Sequence, residues 1–350
     1  MSRRRLAVLR ADASTSIGTG HLVRSLTLAA RLADRGWEIA LASGTLPPGL
    51  RDEVRARGFQ LIEVPTPLVG SDEVEHVRDW LDGRSADLTV VDHYGLGRDW
   101  HLAARSWSRL IMVIDDLANS PADADLVLNQ NLGESPDAYA DLVPDGCRLL
   151  VGPEYALLRP EFARERASMR ERRQVDRLLV FLGGSDEPDV TATAARAGVG
   201  LAGEIDVVVG AAYPHWAALR TWAEREPRVT LHRNVPGIAR LMARADLSIG
   251  APGSASWERC CLGLPSILIT LADNQRRAAE ALARAGAAVD LGWHDGVTVE
   301  RLSGALAALA RSPSRLASMS RSAAAVTDGR GTQRVEREIM RLSEGGPAGG

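Results

Sequence analysis

A histidine set among glycines marks the first place where this chain could do chemistry, in the run Ser16-Ile17-Gly18-Thr19-Gly20-His21-Leu22-Val23-Arg24. The run follows an apolar strand pattern, Leu6-Ala7-Val8-Leu9. It opens an amphipathic helical pattern through Leu22, Leu26, Leu28, Ala29 and Leu32. Glycines at a strand's carboxyl end let a ligand approach the backbone, and the helix start offers unpaired N–H groups to an anion. An imidazole at that mouth can exchange a proton near neutral pH. A tight turn with a helix-entry histidine fits the same residues equally well. A dinucleotide fingerprint does not fit, because Leu22-Val23 stand where its third glycine is needed and the second strand ends in Ser43 rather than an acid.

A second such place is Gly250-Ala251-Pro252-Gly253-Ser254-Ala255-Ser256-Trp257-Glu258-Arg259, where another strand runs into a glycine turn and a helix. The N–H groups of residues 254–256 and the serine hydroxyls suit a diphosphate, and Glu258, one turn in, suits a ribose diol. The spacing is also that of an ordinary helix start, with Ser254 as N-cap and Glu258 as its capping partner. Asp273-Asn274-Gln275 follows the next strand and brings polar groups to the same rim. Gly183-Gly184-Ser185-Asp186 closes the strand that begins the second half.

The elements that must hold these residues read as strands alternating with helices almost throughout, the pattern of parallel α/β sheets. Strand-like runs cover 5–10, 38–42, 60–64, 88–91, 110–114, 126–128 and 148–151. The pattern restarts at 178–182, 205–209, 229–231, 247–249, 266–269 and 287–291. The expected architecture is α/β and GT-B-like, with two doubly wound Rossmann-like domains facing across a cleft and ligands at the carboxyl ends of the strands. The first domain is expected over 1–165, carrying the histidine. The second, over 166–330, carries the nucleotide, and a terminal helix with a disordered tail fills 331–350. The charged stretch 159–176 reads as a solvated helix and linker.

Composition narrows the chemistry. At 350 residues with 45% hydrophobic and 25% charged content the chain is long enough for two ordinary domains. A net charge of −3 argues against a nucleic-acid partner. All 42 basic residues are arginine, which excludes Schiff-base catalysis and a phosphate-loop lysine. Three cysteines form neither a disulfide framework nor a metal-ligand spacing. The basic start is too interrupted for a signal peptide, and no apolar run reaches membrane-spanning length, so a cytoplasmic protein without stable membrane insertion is expected. Asp115-Asp116 and Asp123-x-Asp125 could be read as metal-binding carboxylates, but solvated turn residues account for the second pair more simply. Of His93 and Tyr94, adjacent in a strand-like segment, at most one can face a ligand. His76, His101, His215, His232 and His294 read as surface or helix-end residues.

Taken together and in order, the motifs resemble the UDP-2,4-diacetamido-2,4,6-trideoxy-β-L-altropyranose hydrolase family of pseudaminic acid biosynthesis. The resemblance rests on Arg10-Ala11-Asp12, Gly18-x-Gly20-His21-x-x-Arg24, Asp92-His93-Tyr94-Gly95, Ile114-Asp115-Asp116, Gly152-x-x-Tyr155-Ala156-Leu157-Leu158-Arg159-x-x-Phe162, Gly183-Gly184-Ser185-Asp186 and Asp273-Asn274-Gln275. That family is related in fold to the GT-B transferase that adds N-acetylglucosamine to lipid I in peptidoglycan synthesis. The resemblance implies release of UDP from the UDP-sugar by water attacking the anomeric carbon with inversion, with no metal and no cofactor. It implies His21 as general base, with Tyr94 and Asn274 orienting water or sugar. It implies substrate contacts from Gly18, Gly20, Arg24 and Asp92, from Gly184 and Ser185, and nucleotide contacts from Gly253, Ser254 and Glu258. The tail beyond about residue 295 and the Pro- and Gly-rich form of the 250–254 loop depart from the family pattern. A GT-B glycosyltransferase with a soluble acceptor, or a non-catalytic nucleotide-sugar binding protein, would share the fold and the nucleotide site. The oligomeric state is not legible.

Overall fold

A computed structural model of the chain describes residues 3–13, 19–66, 70–184 and 186–344. Gly18, Ser185 and the 345–350 tail lie outside the described residues. The chain divides into two compact units, Met1–Leu157 with Arg330–Gly350, and Leu158–Gly329.

The first unit is built on a parallel sheet of β1 (Leu6–Ala11), β2 (Glu38–Ser43), β3 (Gln60–Glu63), β4 (Leu88–Asp92), β5 (Ile111–Ile114), β6 (Leu126–Asn129) and β7 (Arg148–Val151). Their spatial order is β3-β2-β1-β4-β5-β6-β7. Helices α1 (Gly20–Ala33), α2 (Pro48–Ala56), α3 (Ser71–Leu81) and α4 (Arg98–Ala104) join the earlier strands. Both faces of the sheet are covered, which is why β1 reads as an apolar run broken only by the buried Arg10. Ala7 and Leu9 join Leu22 and Leu26 of α1 in one cluster, while Leu6 and Val8 join Val74 and Val77 of α3 in another.

The second unit repeats the plan. Its strands β8 (Arg177–Phe181), β9 (Glu204–Val209), β10 (Val229–Arg233), β11 (Leu247–Gly250), β12 (Ser266–Thr270) and β13 (Ala288–Trp293) are parallel, in the order β10-β9-β8-β11-β12-β13. Its helices are α5 (Pro160–Arg166), α6 (Val190–Gly198), α7 (Trp216–Ala223), α8 (Ile238–Arg244), α9 (Ala255–Cys261), α10 (Arg276–Arg284), α11 (Val299–Ala310) and α12 (Pro313–Val326). In each unit the strand order reverses beside the first strand, between β1 and β4 and between β8 and β11. Such a reversal opens a crevice at the strands' carboxyl ends. Among the described residues no helix is long and apolar enough to cross a membrane.

Three features differ from the sequence expectation. The boundary falls at Leu157/Leu158 rather than near 165, because α5 packs on α8 and α9 of the second unit. The stretch after α5 is not a solvated linker throughout. Arg172 is fully buried, and its guanidinium donates to the carbonyls of Arg170, Ala243, Ala245 and Leu262. His101 is only 1% exposed, edge-on to Trp100, and burial pushes its pKa down to about 4.

The terminal helix α13 (Gly331–Glu344) is part of the first unit rather than a separate appendage. Its residues Val335 and Ile339, one turn apart, enter the same cluster as Leu22 and Leu26 of α1. Glu336 takes Arg31 of that helix and Arg35 just beyond its end, the Arg31 bond spanning 305 residues of sequence. Gly331 begins the return against the backbone of Tyr155 and Ala156, where a Cβ would collide with the Ala156 carbonyl. Truncating a fully buried aliphatic side chain of this kind costs about 2–5 kcal/mol. Ile339→Ala is therefore expected to lower the unfolding free energy read from urea denaturation by that amount, with a lower urea midpoint; an unchanged midpoint would show that α13 contributes nothing to the first unit.

Candidate active site

In the first unit, His21 is the second residue of α1, the helix that follows β1 in the chain. His21, Arg24 and Ser25 are three and four residues apart and so share one helix face. That face meets Asp92, the last residue of β4. His21 Nδ1 lies 2.6 Å from Asp92 Oδ1, Arg24 grips both Asp92 oxygens at 2.7 and 2.6 Å, and the Ser25 hydroxyl donates to Oδ2 at 3.2 Å.

Asp92 is fully buried. Burial alone would raise its pKa, but Arg24 and His21 outweigh that and hold the carboxyl well below the usual carboxylate range. An ionised carboxylate can only accept, so the proton between the two is on His21 Nδ1. Arg24 Nη2 also approaches Nδ1, at 3.1 Å, but a guanidinium can only donate and cannot share a nitrogen that already bears hydrogen. The imidazole is thus the Nδ1–H tautomer with its lone pair on Nε2. No described residue bonds to Nε2.

The network extends to Asp116, which the sequence reading named only as half of an acidic pair and within a motif. Arg24 forks onto Asp116, just after β5, at 2.8 Å to each oxygen. Burial works against the charge of Arg24, yet Asp116 and Asp92 together keep it protonated far beyond the usual range. Arg24 in turn pulls the buried Asp116 carboxyl down. Asn131 adds its amide to Asp116, and the Tyr94 hydroxyl donates to Asp116 Oδ2 at 3.0 Å. The Tyr94 ring stands edge-on to His21, centroids 4.9 Å apart, and remains 48% exposed. An exposed aromatic held at both ends presents a fixed face to a ligand. The neighbouring His93 turns the other way, Nε2 3.2 Å from Asp12 Oδ2, so only Tyr94 belongs to this cluster. The adjacent Asp115 caps its own turn through the amides of Leu117 and Ala118 and accepts the Tyr139 hydroxyl. Gly20 opens α1 beside His21.

The second unit places its expected residues at the carboxyl ends of three neighbouring strands. Gly183 (φ +113°) turns the chain after β8, and Gly184 lies against Gly210 at the end of β9, where a Cβ on Gly210 would strike its backbone. The 250–256 loop follows β11, and Asn274 lies in the 3-10 turn Asp273–Gln275 after β12. Ser254 is the N-cap residue of α9, but its side chain makes no capping bond. Glu258 does not turn back to it: Arg159 holds Glu258 Oε1 at 3.3 Å, and burial pushes that carboxyl up against the pull of Arg159. The capping-box alternative is therefore not what these residues form. One expectation also narrows, because the Ser256 N–H is donated to the Gly253 carbonyl at 2.8 Å and cannot serve a diphosphate.

Residues 178–335 match the family described as the glycosyltransferase family 28 C-terminal domain. The chain is 26% identical over 341 residues to the spore coat polysaccharide biosynthesis protein SpsG of Bacillus subtilis, covering 95% of this chain and 97% of that one. It is 25% identical over 283 residues to the UDP-2,4-diacetamido-2,4,6-trideoxy-β-L-altropyranose hydrolase of Campylobacter jejuni, covering 81% and 98%. Among solved structures it is similar to MurG of Acinetobacter baumannii, with a TM-score of 0.65 and 16% identity, covering 97% of this chain and all of that one (100%). The fold is GT-B-like, with two Rossmann-like α/β domains. The resemblance drawn from the motifs is met by a relative that carries the hydrolase name, and the MurG likeness shows a shared fold.

Proposed function

We propose that this GT-B-fold protein acts on a nucleotide sugar and hydrolyses it, releasing UDP from UDP-2,4-diacetamido-2,4,6-trideoxy-β-L-altropyranose or a similar deoxyamino sugar. The observation that carries this reading is the buried carboxylate of Asp92 on His21 Nδ1, which leaves a basic lone pair at Nε2. Nε2 takes a proton from water as the water oxygen bonds to the anomeric carbon. The bond from that carbon to the diphosphate oxygen breaks on the opposite face, and UDP leaves with the electron pair. Because UDP is a good leaving group once its charge is held, the reaction chiefly needs an activated water. Asp92, Arg24 and Asp116 carry a net charge of −1, so protonation of His21 brings the cluster to neutrality, which suits an imidazole that must become cationic in the transition state.

Tyr94 is assigned to the sugar or the water, as is Asn274. The Gly253–Ser254 turn is assigned to the diphosphate and Glu258 to the ribose. Support for the nucleotide comes from the family 28 match over the segment that holds this loop. The same match favours a second reading, transfer of the sugar to a soluble acceptor.

Incubation with the UDP-sugar in ¹⁸O-water, with chelator and without acceptor, tests the assignment. UDP release with label on the sugar is expected. Label on UDP would mean attack at phosphorus, and no release until an acceptor is added would favour the transferase.

A further inference from the structure

Four arginines are buried among the described residues, and three have their charge answered. Arg10 pairs with Asp12 and Glu73, Arg24 with Asp92 and Asp116, and Arg172 lies in a ring of carbonyls. Arg259, on α9, is the exception. At 1% exposure it donates only through Nη2, to the Ala251 carbonyl at 2.8 Å and Ser256 Oγ at 2.9 Å. Its Nε and Nη1 are buried with no hydrogen-bond partner, and it forms no ion pair with a described residue. The one acid beside it in sequence, Glu258, goes to Arg159 instead.

A buried cation in this state is costly, and burial accordingly pulls its pKa down to about 10. Its place explains what could offset the cost. A Cβ on Gly250 would collide with Arg259 Nη1, so the guanidinium lies directly against the backbone where β11 passes into the 250–256 loop. Its two bonds hold that loop from beneath, at Ala251 and Ser256.

We propose that Arg259 is a positioning residue for the nucleotide: a buried positive charge under the 250–256 loop whose missing counter-charge is the diphosphate bound above it. This rests on the nucleotide reading of that loop and adds to it the source of its electrostatic attraction. The Ser256 amide is already used and Pro252 has none, so a fixed charge against the backbone adds attraction that these two positions cannot supply.

The test is calorimetric titration of full-length wild type, Arg259→Met and Arg259→Lys with UDP and with uridine, together with the melting temperature of each apo protein. For Arg259→Met, UDP affinity is expected to fall at least about tenfold and to lose salt dependence, with uridine affinity kept and the apo melting temperature unchanged or raised. Arg259→Lys should restore part of the UDP affinity. Wild-type UDP affinity in the methionine variant would overturn the proposal. So would parallel loss of UDP and uridine with a lowered melting temperature and no rescue by lysine, the mark of a purely structural arginine. If the methionine variant does not fold, Arg259→Gln is read by the same criteria. Wild type that binds neither ligand would overturn the nucleotide reading itself, and the proposal with it.

Discussion

Replacing His21 by asparagine is expected to cut turnover of the UDP-sugar by about 10²–10⁴-fold while leaving UDP affinity and the melting temperature close to wild type. The asparagine amide can still donate to Asp92, so the buried carboxylate keeps its partners. Only the lone pair presented at Nε2 is lost. The measurement is UDP release under saturating substrate, with UDP titration and thermal unfolding as controls. A variant that turns over at the wild-type rate would remove His21 from the chemistry.

Asp92→Asn should lose as much activity for a different reason, and should lose stability as well. An amide at this position can donate a hydrogen to Nδ1, which stabilises the wrong imidazole tautomer; a change of that kind costs on the order of 10⁴ in a Ser-His-Asp triad. Removing one member of a buried charge network also costs about 3 kcal/mol, even with Asp116 still on Arg24. The sign of the pH effect follows from the depressed pKa of Asp92 in the folded protein. Its contribution is present above the unfolded carboxylate pKa of about 3.9 and is lost as pH falls through the folded value. Wild type should therefore lose stability from about pH 4 downward, and Asp92→Asn should follow a flatter acid limb. Urea unfolding at neutral and acid pH checks this. Equal acid sensitivity in the two proteins would show that Asp92 is not held ionised by the fold.

Much of the scaffold was legible because strands buried on both faces announce themselves as short apolar runs, and the runs read at 5–10, 88–91 and 247–249 are β1, β4 and β11. The reversals of strand order could then place His21 and the 250–256 loop at crevices. What resisted reading was pairing across distance. Asp116 looked like half of an acidic pair, and nothing local shows that Arg24 would reach it from α1. Arg172 lies in a stretch that reads as a solvated helix and linker, yet it is fully buried and donates to the carbonyl of Leu262, 90 residues later. Glu258 had the spacing of a capping partner, yet its actual partner, Arg159, lies 99 residues earlier. The amphipathic stripe of α13 was visible in the sequence. The helix it would cover was not.

That return of α13 makes the first unit dependent on a helix synthesised after the whole second unit. The groove along α1 that takes Val335 and Ile339 stays open while the whole second unit is being synthesised, so the order of translation is not the order of completion. A nascent or prematurely terminated chain carries an uncovered apolar strip on an otherwise formed α/β sheet, the kind of surface that chaperones hold and proteases sample. Closure by α13 thus ties completion of the first unit to prior synthesis of the second.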